Sequence, residues 1–146
     1  MLNIKKYFTA VFITVMILSL SGCEKDDNPV SSGGSLEGTW VLTSITAVTS
    51  SGTVTLTADQ ANVHITIVVT GTNAYQMTLV SNGQTTNDSG TYSTSNGNIT
   101  FNSQGGGQTQ WSYTLSGSTL TAKTTMDLSA YGFPGQTPVT LVFNKQ

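Results

Sequence analysis

The chain contains no arginine, one histidine (His64) and one cysteine (Cys23), and its five lysines and seven acids amount to 8% of 146 residues. Without arginine or a dense lysine cluster, no surface can meet a phosphate backbone, so nucleic acid is excluded as a partner. A basic face for binding lipid headgroups is absent for the same reason. A lone cysteine cannot close an internal disulfide. A Ser-His-Asp arrangement would have to use His64, yet no Gly-x-Ser-x-Gly turn accompanies it. The acids of the folded region, Glu37, Asp59, Asp88 and Asp127, share no local motif of the kind a glycosidase pair would need. Metal-ligand clusters are missing. Gly105–Gly107 form a flexible turn, because no strand, Gly-Lys and helix pattern surrounds them. Catalysis, a metal and a cofactor are therefore not expected. No apolar run approaches the roughly 20 residues of a membrane-spanning helix.

What the chain does have begins at its front. Lys5 and Lys6 precede an apolar run of 14 residues from Tyr7 to Leu20, broken by Thr9, Thr14 and Ser19. That is the length of a signal-peptide core and too short to cross a bilayer. The small pair Ser21-Gly22 leads into Cys23, followed by the charged knot Glu24-Lys25-Asp26-Asp27. Residues 24–35, EKDDNPVSSGGS, carry almost no apolar content and read as a flexible tether. Such a tether spans roughly 20 Å root-mean-square. If the chain is cut before Cys23, three lysines face seven acids and the net charge is −4. The expected division is 1–22 signal peptide, 23–35 tether with its cysteine and 36–146 a single domain.

From Leu36 onward threonine and serine are dense, and the periodicity is two rather than 3.6. Val63, Ile65 and Ile67 alternate with polar neighbours, as do Tyr75, Met77 and Leu79, then Ile99 and Phe101, then Trp111, Tyr113 and Leu115, then Val139, Leu141 and Phe143. His64 falls on the opposite face and should point outward. Between the runs stand Thr70–Asn73, Ser81-Asn82-Gly83, Ser95-Asn96-Gly97 and Ser116-Gly117-Ser118, which are turn sequences. The pattern predicts strands over 38–48, 62–70, 74–81, 86–93, 98–103, 109–115, 119–127 and 138–144. Eight strands joined by hairpins make an all-β, antiparallel up-and-down barrel, whose closure removes exposed edges. An immunoglobulin-like sandwich is the competing arrangement, and pairing of the first strand with the last would decide for the barrel. Residues 50–61 fit a short strand, a loop or a helical turn. Residues 128–138, with Tyr131 and Phe133, form an apolar insert that either covers a barrel mouth or packs on the wall.

Three short stretches carry a resemblance. Leu36-Glu37-Gly38-Thr39-Trp40 opens the first strand; Ser89-Gly90-Thr91-Tyr92 precedes the Asn96-Gly97 turn; Leu115-Ser116-Gly117-Ser118-Thr119-Leu120 follows. In order they resemble lipocalin-like domains of bacterial lipoproteins, which implies an eight-stranded calyx with Trp40 at its closed end. The arginine that often covers that tryptophan has no counterpart; Lys145 lies in a suitable part of the chain but lacks a planar guanidinium. Likewise Leu20-Ser21-Gly22-Cys23 resembles a lipobox. That resemblance implies diacylglycerol on the Cys23 sulfur, a further acyl chain such as palmitate on its amino group, and stable anchoring by several chains. Lys25, Asp26 and Asp27 resemble the export signal of surface lipoproteins in Bacteroidetes-type bacteria, which implies the outer face of the outer membrane.

Binding is the expected role. The inward set is bulky, which leaves two readings: a tight pocket for one small apolar ligand, or a filled barrel that acts as an interaction module for a protein or glycan at the cell surface. For the first, the ligand-contacting candidates are Tyr75, Met77, Tyr92, Trp111, Tyr113 and Phe133, with the tyrosines as hydrogen-bond handles.

Overall fold

The computed structural model describes residues 34–50, 52–129 and 135–146. The signal, Cys23, the export residues Lys25, Asp26 and Asp27, most of the tether, and Tyr131 and Phe133 of the apolar insert lie outside them.

Nine strands follow one another: β1 (Gly38–Thr49), β2 (Gly52–Thr57), β3 (Val63–Val69), β4 (Ala74–Ser81), β5 (Gln84–Ser95), β6 (Asn98–Ser103), β7 (Gln108–Ser116), β8 (Thr119–Asp127) and β9 (Gln136–Lys145). All eight expected strands are present, and the ninth, β2, lies in the segment that sequence patterning left open. From β3 to β9 each strand pairs antiparallel with the next, and β9 returns to β1, with Trp40 opposite Lys145 and Ala47 opposite Val139. The first and last strands therefore close an eight-stranded barrel, and the sandwich is ruled out.

The tight hairpins use the residues their geometry demands. Asn82 and Gly83 have φ of 51° and 74°, and Asn96 and Gly97 have 50° and 72°. Two consecutive positive φ angles define the turn whose twist matches paired strands, and Asn-Gly tolerates them at the least cost.

β1 changes partners part-way along. Its first residues, Gly38–Val41, pair with β3, whereas Ser44–Thr49 pair with β2. The change falls at a bulge at Thr43. There the Thr43 carbonyl accepts the Ala58 amide at 3.0 Å, and its hydroxyl donates to the Val142 carbonyl at 2.9 Å. The extra residue shifts the alternation, so Trp40 and Leu42 are buried before the bulge and Ile45 and Ala47 after it. Hence β2 takes over from β3 beside the second half of β1, whose other side stays paired with β9 through Ala47, and forms an edge flap on the barrel wall.

Strand direction defines two ends. β1 starts, and β3 ends, at what we call the base; β1 ends, and β3 begins, at the mouth. The base is filled by aromatic rings. Tyr75 meets Phe101 edge-on at 4.8 Å between centroids, Phe101 meets Trp111 at 5.0 Å, and Trp111 stacks on Phe143 at 6.2 Å. Edge-to-face contacts at these distances add to the burial of apolar area. Gly90 lies between Tyr75 on β4 and Ser103 on β6. Its missing side chain leaves the Tyr75 ring free to cross β5 and reach Phe101. A Cβ there would fall 1.9 Å from the Asn102 carbonyl oxygen, so the backbone itself requires glycine.

Candidate functional site

Trp40 closes the base. It is fully buried, and its Nε1 donates to the Leu36 carbonyl at 2.7 Å. The Lys145 Nζ lies 5.4 Å from the ring centroid and donates to the Ser35 carbonyl at 3.1 Å. Lysine thus takes the place over the tryptophan, through a cation–π contact rather than planar stacking. Room for it comes from Gly38, whose φ is 127° and where a Cβ would sit 2.5 Å from Lys145 Cε. Gly34 packs against Leu115 and the Gly117 carbonyl, so the chain enters the domain across this same end.

Of the predicted ligand contacts, Tyr75 and Trp111 belong to the aromatic column, 2% and 7% exposed. Met77 packs half-buried against the core. Tyr75 also serves a polar group that sequence reading did not single out. Its hydroxyl donates to Asp88 Oδ2 at 2.6 Å, and the Ser103 hydroxyl donates to Asp88 Oδ1 at 2.5 Å. These two bonds hold the Asp88 carboxyl below its usual range, that from Ser103 contributing most. Burial, aided by Asp88, pushes the Tyr75 phenol up to about 12, so it stays a neutral donor. The arrangement ties β4, β5 and β6 together across the Gly90 gap. Tyr92 and Tyr113 are half-buried at the base, and Phe133 lies outside the described residues.

The mouth differs. A cleft there, with a cavity volume of about 40 Å³, is lined by Ile45, Ala47, Val54, Leu56, Ala61, Val63 and Leu128. Val54 and Leu56 of β2 stand opposite Ala47 and Ile45 of β1, so the flap presents its inner face to the barrel lumen. All seven lining residues are aliphatic. The space admits a few atoms of a slender group and remains open on one side. Sequence reading missed this wall because its residues are small and β2 was ambiguous. The alternation of Val54 and Leu56 about Thr55 was the available signal.

His64 points outward as expected, with its Nδ1 3.7 Å from Asp59 Oδ1 on the surface. Among the described residues, no group of three His, Cys, Asp or Glu side chains can hold a metal ion. No curated protein and no solved structure matches the chain significantly. A match to the lipocalin-like domain family covers residues 36–122, more than half the chain, from just before the Trp40 strand into the first half of β8. The closed barrel, the buried tryptophan at its base and this match together establish that the chain belongs to the lipocalin-like domain family.

Proposed function

We propose that this protein is a non-catalytic lipoprotein, held in the outer membrane of a bacterium by acyl chains on Cys23, whose barrel takes one slender apolar ligand at its mouth. The observation that carries the ligand reading is the all-aliphatic cleft between the flap and the barrel. Apolar ligands are driven into such sites by removal of hydrocarbon surface from water, at about 25 cal/mol per Å². The aromatic column favours the mouth over the barrel centre, because its rings stand 4.8, 5.0 and 6.2 Å apart and occupy the lumen between them.

The direction of the chain supports the anchored arrangement. Gly34 and Leu36 lie at the base, so a tether from Cys23 would hold the barrel by that end. The mouth would then face away from the lipid, toward ligands arriving from outside. Lys25, Asp26 and Asp27 would direct the protein to the outer leaflet.

Fluorescence titration with parinaric acid, a slender polyene, tests the ligand reading. Saturable enhancement is expected for the wild type and its loss for Leu56→Asp, which puts a charge in the cleft. Absence of saturable binding by the wild type would sink the reading. Separately, Cys23→Ala should release the protein from the membrane fraction, and alanines at Lys25, Asp26 and Asp27 should protect it from protease added to whole cells.

A further inference from the structure

A second cleft, of about 410 Å³, opens at the base of the barrel. We propose that it binds an uncharged sugar. It lies at the opposite end from the apolar mouth and does not depend on the ligand reading given above.

Its walls are Tyr92 and Tyr113, with Leu36 and Leu115 between them and Asn73 and Thr94 among the polar groups lining it. The volume falls within the range of small-molecule sites, about 300–1,000 Å³. Both tyrosines are inward-facing by register, Tyr92 opposite Phe101 and Tyr113 opposite Ala122. The accessible lining of the cleft is mainly polar, so the hydroxyls of a sugar find hydrogen-bond partners there, and the tyrosine rings with Leu36 and Leu115 give a smaller apolar area for its C–H groups. Among the described residues neither phenol oxygen has a hydrogen-bond partner, in contrast to Tyr75.

The backbone under both tyrosines is fixed by the neighbouring turns: the Tyr92 amide donates to the Asn73 carbonyl at 2.8 Å, and the Tyr113 amide donates to the Gly97 carbonyl at 2.7 Å.

Charge selects the ligand class. No lysine or histidine lines the cleft, and Glu37 lies near enough to raise the Tyr92 phenol after burial. Anions are therefore disfavoured. Ser93–Ser95 of β5 run past the end of β4 and are paired on their β6 side alone, so a short peptide strand is the competing occupant, and retention of an extended peptide in place of a neutral sugar would overturn the proposal. A neutral polyhydroxyl ring matches what remains: two aromatic faces, an amide and several hydroxyls.

The test uses the full chain in a detergent without a sugar headgroup, applied to an array of neutral and acidic oligosaccharides. Vesicles of phosphatidylcholine bearing the retained sugars as lipid headgroups form a second arm. Retention of neutral sugars is expected. Tyr92→Ala should weaken it about tenfold, the scale of one aromatic contact. Should that variant fail to fold, Tyr92→Phe and Thr94→Val should each weaken binding several-fold with an unchanged melting temperature. Displacement by free oligosaccharide identifies a soluble sugar as the ligand. Tighter retention on the vesicles identifies a membrane-borne one. No retention of any neutral sugar, retention of acidic sugars alone, or binding unmoved by Tyr92→Phe and Thr94→Val would overturn the proposal.

Discussion

The base and the mouth of this barrel solve opposite problems with the same strands. At the base, Tyr75, Phe101, Trp111 and Phe143 pack ring against ring, and Lys145 covers Trp40. At the mouth, alanine, valine, leucine and isoleucine line a narrow cleft, and among the described residues β2 pairs only with β1. Rings fill a lumen and fix strand positions, whereas short aliphatic chains leave space and a wall that can yield. The difference teaches that stability is concentrated in the aromatic column and that capacity for an apolar ligand at the mouth depends on side chains too small to fill it. Interiors are close-packed, so an apolar space inside the lumen survives only where nothing large is present.

Substitutions at the two ends should separate these roles. Phe143→Ala removes a fully buried ring from the column and should cost about 4 kcal/mol by chemical denaturation. Gly90→Ala forces a methyl into the Asn102 carbonyl and should cost about 3 kcal/mol, since backbone must move. Lys145→Ala loses the cation over Trp40 and should cost about 1 kcal/mol, largely without altering the mouth. Asp88→Asn tests the polar tie within the base. The folded carboxyl titrates below its unfolded value, so its contribution is present above the ordinary carboxyl range and is lost as pH falls through the folded value. Melting temperatures measured from neutral to acid pH should therefore fall less steeply for Asp88→Asn than for the wild type. Val54→Asp, on the half-exposed flap, should change stability by less than about 0.5 kcal/mol while abolishing apolar binding.

Much of the base was legible in the sequence, and little of the mouth. Alternation exposed β3, β4, β7 and β9 because Val63, Ile65 and Ile67, or Trp111 and Leu115, mark the inner face by size and polarity. The Asn-Gly turns fixed two hairpins through backbone chemistry alone. β5 was read short, over 86–93 instead of Gln84–Ser95, because Thr86, Asp88 and Gly90 occupy its inner face and look polar. β1 is legible almost in full, over 38–48 against Gly38–Thr49, but the Thr43 bulge, which shifts the buried positions from Leu42 to Ile45, is not. β2 was ambiguous because only Val54 and Leu56 mark its inner face. Pairing across distance, such as Tyr75 with Asp88 or Lys145 with Trp40, leaves no local trace at all. The bulk and aromaticity that mark Tyr75 and Trp111 as ligand candidates in the sequence serve packing in the fold.

The division between a filled base and a receptive mouth is tested most directly by methyl NMR during titration with decanoic acid. The account predicts saturable shifts at Ile45, Val54, Leu56, Val63 and Leu128, with Ile67, opposite Trp40, and Ile99, opposite Trp111, unmoved. Shifts centred on Ile67 and Ile99 would contradict it.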